Sequence, residues 1–121
     1  MTDKSFDMSP EERAEIVREF LSEAQEHLSV LNEKLLLAEN AIKAQIELSN
    51  DDLNAMFRAA HTIKGTASFI GLTRVVKLTH EMETILQQVK TREIPLTAGI
   101  IDVLFEGFDV LEALCKSLKE S

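Results

Sequence analysis

His61 and Lys64 stand one helical turn apart, and a glycine, Gly65, falls directly over the histidine at the i+4 position. That arrangement suits a histidine that takes up a phosphoryl group. The chemistry needs a neutral ring nitrogen free for in-line attack, a partner that fixes the other ring nitrogen, and positive charge near the phosphoryl oxygens. At 100° per residue, Asn54, Arg58, His61, Gly65 and Ser68 share one helical face, while Leu53, Met56, Ala60, Ile63 and Ala67 share the opposite side. His61 is therefore expected to point away from the core. Glycine inside a helix costs about 1 kcal/mol relative to alanine, so Gly65 needs a reason, and an uncovered imidazole supplies one.

His61 is the expected nucleophile, through Nε2, the ring atom that reaches furthest from the backbone. Lys64 is expected to lay its ammonium beside the phosphoryl oxygens. Glu83, at the edge of the apolar stripe of a later helix, can accept a hydrogen bond from Nδ1–H and so hold the tautomer. His80 lies on the same side as Glu83 and can tune the site by hydrogen bonding, or serve as a plain boundary histidine. Phe57, Arg58, Gly65 and Ser68 border His61 and are expected to form a docking surface, with core packing as the alternative for Phe57. His27, among acidic neighbours, reads as structural or exposed, and Cys115 as a small buried hydrophobe.

His80-x-x-Glu83 also has the i, i+3 spacing of ligands in carboxylate-bridged bundles. Such sites need the pair on two helices and a glutamate from each of two others, whereas the remaining seams here are apolar, so no metal is expected. The chain has no phosphate-binding glycine loop and no carboxylate pair at magnesium spacing. No cofactor is expected, and donor and acceptor of the phosphoryl group must lie on other proteins or domains.

The pattern His61-x-x-Lys64-Gly65, small residues and then Gly71, set in the string FRAAHTIKG with His80 and Glu83 on the next helix, resembles the histidine-containing phosphotransfer domain. It is most similar to the one at the N-terminus of CheA-type chemotaxis histidine kinases, from about Glu19 to about Lys119. The resemblance implies the same roles for His61, Lys64 and Glu83. It also implies two partners: a histidine kinase catalytic domain as donor, in cis or in trans, and a response regulator receiver domain whose aspartate accepts. A phosphorylation-independent bundle that only binds partners is the alternative. CheA-type domains usually continue into a fifth helix and a linker, which this sequence does not include; an excised piece of a larger kinase and a stand-alone protein are both open.

The elements that must position these residues read as helices. Ser9-Pro10-Glu11-Glu12 forms a capping box, and Val17, Leu21, Ala24, Leu28, Leu31, Leu35 and Ala38 repeat at steps of four and three. The first helix is expected over about 10–39. Ser49-Asn50-Asp51-Asp52 supplies a cap and acidic charge for a second, about 51–69. Gly71 sits where a C-cap is expected, and a third periodic segment runs over about 72–91. After Pro95, Thr97 caps a fourth over about 97–119, with Ile101, Leu104, Phe108, Leu111, Cys115 and Leu118 as its seam. Short connections predict an all-α, up-down-up-down four-helix bundle spanning 1–121 as a single domain.

Composition agrees and removes other classes. The chain of 121 residues has no Trp or Tyr and only four Gly and two Pro, which is poor material for sheet and good material for helix. Its formal charge of −8 disfavours nucleic acid and anionic membranes as partners. One cysteine cannot form an internal disulfide, the first ten residues have no apolar signal region, and no apolar run is long enough to span a bilayer. A cytoplasmic location is expected.

Overall fold

The computed structural model describes residues 8–120; the expectation that the first residues form neither leader nor anchor falls largely outside them. Four helices follow in order: α1 (Pro10–Lys43), α2 (Asn50–Phe69), α3 (Thr73–Lys90) and α4 (Ala98–Glu120). Successive helices are neighbours and α4 closes back on α1. Pairs across the helices rise on one side as they fall on the other. Lys34 meets Asp52 while Arg13 meets Ile70, and His61 meets Glu83 while Phe57 meets Lys90, so α1 and α2, and α2 and α3, run antiparallel.

The caps named in the sequence form. Ser9 Oγ accepts from the Glu12 amide at 3.1 Å, Ser49 Oγ from Asp52 at 3.2 Å, and Thr97 Oγ1 from Ile100 at 3.2 Å. Gly71 takes φ 75°, with its amide bonded to Ser68 O and that of Leu72 to Ala67 O, the paired bonds of a Schellman ending. Leu72 and Ala67 are both buried, which closes the turn with an apolar contact. This tight ending starts α3 immediately and brings Glu83 back alongside His61.

One boundary and one stretch of the buried stripe differ from the expectation. Helix α1 continues past residue 39 to Lys43, because Ala41 and Ile42 still pack against the core. It then ends in the same Schellman pattern, but with Gln45 in the left-handed position at φ 57°; Arg92 does likewise after α3 at φ 65°. Near the start of α1, Phe20 is buried while Val17 and Leu21 are only half-buried. At 100° per residue Phe20 falls in line with Ala38 and stays on the stripe set by Leu28 to Ala38, whereas Leu21 drifts to its edge.

The left-handed conformation costs a non-glycine residue roughly 1–2 kcal/mol, partly offset by the smaller unfolded-state entropy such a residue has to lose. Gln45→Gly should therefore stabilise the fold by about 0.5–1 kcal/mol and raise the melting temperature by a few degrees, on the order of 2–4 °C. Thermal unfolding followed by circular dichroism checks this. A lower melting temperature would mean that the glutamine side chain does more than occupy the turn.

The core is continuous through all four helices, with Leu31, Leu35, Met56, Ile63, Leu86, Ile101, Leu104 and Leu111 almost fully enclosed. Cys115 is buried at the end of this core; burial pushes its thiol above the ordinary value, and Glu112 adds to the shift. His27 is half-buried, with Nε2 3.5 Å from Glu23 Oε1. Among the described residues no helix is long and apolar enough to cross a membrane. Charge is unevenly shared around the bundle. Between Leu53 and Lys90 the cations Arg58, Lys64, Arg74, Lys77 and Lys90 face only Glu81 and Glu83, whereas α1 and α4 together carry thirteen acidic side chains against six basic ones.

Candidate functional site

The buried side of α2 is formed by Leu53, Met56, Ala59, Ala60, Ile63 and Ala67, as its apolar periodicity requires, and this turns His61 outward. The His61 side chain is 61% exposed. Glu83 is carried to it by α3, whose core residues Val75, Thr79, Met82, Leu86 and Val89 leave Glu83 at the edge of the buried stripe. Its carboxylate, 12% exposed as a side chain, faces α2 and divides its two oxygens. Oε2 lies 2.5 Å from His61 Nδ1, and Oε1 accepts from Lys64 Nζ at 2.6 Å.

Electrostatics settle the protonation pattern. Burial alone would push the Glu83 carboxyl up, but the hydrogen bonds and charges of Lys64 and His61 outweigh it and hold the group below its ordinary value. An ionised carboxylate can only accept, so Nδ1 carries the proton in the Glu83 contact. In the neutral ring Nε2 then holds the lone pair, on the edge of the imidazole turned away from Glu83. A nitrogen nucleophile with a fixed tautomer and an open approach is what the arrangement can supply chemically.

Lys64 has a partner within the bundle that its helix alone does not reveal. Its ammonium is half-buried against Glu83, because a carboxylate taken partly out of water demands a charged partner more strongly than open solvent does. Phe57 likewise lies under the site instead of forming a free border to it. Its ring stacks on the imidazole, with centroids 6.0 Å apart and planes 8° from parallel. Lys90 Nζ sits 4.7 Å from the centroid of that phenyl ring.

Arg58, Gly65 and Ser68 are exposed, as a surface for a partner requires. Arg58 Nε turns back to the Asn54 carbonyl at 3.4 Å. A Cβ built on Gly65 would meet nothing within 4 Å, so no packing contact demands a glycine there. His80 is exposed, and among the described residues no hydrogen bond or ring contact joins its side chain to His61 or Glu83; the i, i+3 step from Glu83 carries it out toward solvent. Two neighbours were not singled out in the sequence. Lys90 gives no local signal, since only the antiparallel register of α2 and α3 brings it to Phe57. Phe69, 82% exposed two turns beyond His61, was legible as an apolar residue off the buried stripe. Among the described residues no group of three or more His, Cys, Asp or Glu side chains could hold a metal ion.

An antiparallel bundle that presents one tautomer-fixed histidine on an outward helix face belongs to a known class, and the Hpt domain family model matches residues 15–121. The chain belongs to the Hpt domain family of phosphotransfer domains. Within it, the chain is 38% identical over 99 residues to chemotaxis protein CheA of Bacillus subtilis (strain 168), covering 82% of this chain and 14% of that protein. It is 34% identical over 110 residues to sensor histidine kinase CheAY of Helicobacter pylori, covering 88% and 13%. The CheA phosphotransferase domain from Thermotoga maritima superposes with a TM-score of 0.74 at 32% identity, covering 87% of this chain and 96% of that structure. The chain thus spans only about one seventh of the length of the curated relatives it matches.

Proposed function

We propose that this chain, as one domain, is the phosphoryl carrier of a chemotaxis-type phosphorelay working in the cytoplasm. His61 Nε2 attacks the γ-phosphorus of ATP held by the catalytic domain of a histidine kinase. The P–N bond forms as the bond to the ADP oxygen breaks, while the Nδ1 proton stays in the contact with Glu83. In the second half the carboxylate of a response regulator's receiver aspartate attacks the same phosphorus, the P–N bond breaks, and Nε2 recovers its lone pair.

The observation that carries this reading is the Glu83 Oε2 contact at 2.5 Å, which commits Nδ1 and leaves the exposed Nε2 as the one ring nitrogen free to react. In this reading Lys64 acts first on Glu83, holding the carboxylate that holds the ring, and Arg58, Gly65 and Ser68 form the rim met by either partner. The relatives named as CheA proteins support the chemotaxis setting.

The test is to incubate the chain with ATP, magnesium and the catalytic domain of a CheA-type kinase, then to map acid-labile, alkali-stable phosphate. One phosphate on His61 is expected, and His61→Gln should lose it with an unchanged helical spectrum. Label on His27 or His80, or label that persists in His61→Gln, would overturn the assignment. A chain that binds the kinase but never takes phosphate would instead be an interaction module.

A further inference from the structure

We infer that Phe57 is a positioning residue for His61, with Lys90 as the group that steadies it; this rests on the phosphoryl-carrier reading above. The Glu83 bond fixes where Nδ1 lies but not the plane of the ring. The Cβ–Cγ torsion of histidine is broad, so an imidazole tethered at one nitrogen still rocks about that bond. The Phe57 ring, one helical turn before His61 and only 8° from parallel to it, blocks that rocking on one side. With the plane set, the Nε2 lone pair, which lies in the ring plane, has a fixed direction. In-line attack at phosphorus depends on that direction.

Lys90 belongs to the same device. It comes from the last turn of α3, and its ammonium stands over the phenyl ring at 4.7 Å, a distance at which cation and π-face attract. Phe57 is half-buried, held on the core side by its apolar neighbours and by Lys90 where those neighbours end. Helices α2 and α3 are therefore pinned around the imidazole twice, by Glu83 through one ring nitrogen and by Lys90 through the phenyl ring.

The experiment compares the whole chain with Phe57→Leu, Phe57→Tyr and Lys90→Met. It reads the ¹⁵N shifts of both His61 ring nitrogens across pH, the initial rate of Nε2 phosphorylation by phosphoramidate, and thermal unfolding. Phosphoramidate is a small donor that needs no partner protein, so the rate reports the ring itself. In Phe57→Leu the ring-nitrogen shifts should move toward those of a free histidine, and the rate should fall roughly five- to tenfold. Phe57→Tyr should restore both, and Lys90→Met should give a smaller change of the same sign. Ring-nitrogen shifts that stay at wild-type values in Phe57→Leu overturn the inference, whatever the rate or the melting temperature. If the wild-type chain takes no phosphoryl group on His61, the carrier reading fails instead, and the shifts still decide the role of Phe57.

Discussion

A leucine at position 65 should make the protein more stable and stop phosphoryl transfer in both directions. Leucine is a better helix former than glycine by roughly 0.8 kcal/mol. The position is exposed and a Cβ there meets nothing within 4 Å, so no clash subtracts from the gain. A rise in melting temperature of about 3–5 °C is the expected scale for a domain of this size. The loss of function follows from side-chain direction. Helical side chains lean toward the N-terminus and cover the turn before their own Cα, so a side chain at 65 lies over His61 and the approach to Nε2. A partner protein that must bring phosphorus in line with that nitrogen would meet the isobutyl group first, and a loss of at least about a hundredfold is expected. Gly65→Ala separates the two effects, since it should keep most of the stability gain and more of the transfer rate. If the leucine variant is stabilised yet transfers at the wild-type rate, the glycine is not there to keep the histidine open.

Glu83→Gln should slow His61 phosphorylation by about ten- to a hundredfold while the bundle stays folded. The substitution keeps shape and volume but removes the charge that accepts from both Nδ1 and Lys64 Nζ. Hydrogen bonds to a charged group are worth roughly 1.5–3 kcal/mol each, and a lost orientation of the ring appears directly in the rate. The same group gives a pH signature. Its folded value is depressed below the ordinary 4.5, so its contribution to stability is complete above that value and is lost as pH falls through the lower, folded one. The wild type should therefore melt above Glu83→Gln by a constant margin from neutral pH down to about pH 5, and the margin should close in stronger acid. Matched unfolding curves at several pH values measure it. A margin that stays open in strong acid would mean that the ionised Glu83 carboxylate, held by Lys64 and the His61 contact, is not the source of the difference.

Most of the bundle was legible because its signals are local. Ser9, Ser49 and Thr97 cap through their own side chains, Gly71 ends α2 by its backbone freedom, and the seams repeat at helical spacing. The end of α1 was not, because Gln45 takes the left-handed position without the glycine that usually marks it. At the site, the outward place of His61 and Gly65 and the edge place of Glu83 were legible, since each follows from one helix's periodicity and one short turn. What escaped depends on register between helices. Lys64 meeting Glu83, and Lys90 reaching Phe57, are fixed by how α3 slides against α2, which no pattern within either helix encodes.

The uneven distribution of charge around the bundle has a consequence for encounters in solution. A protein of formal charge −8 is repelled at long range by any other acidic surface. At physiological ionic strength, however, that repulsion is damped over about 8 Å, so an approaching body responds mainly to the side nearest to it. Between Leu53 and Lys90 that side is cationic, while α1 and α4 are anionic. The bundle thus behaves as an electric dipole, and an anionic surface exerts a torque on it that turns the stretch from Leu53 to Lys90 forward, while the acidic first turn of α2, with Asp51 and Asp52, is turned away. Such a surface meets the bundle preferentially on the side that carries His61, although the molecule as a whole has the wrong sign of charge to be drawn to it.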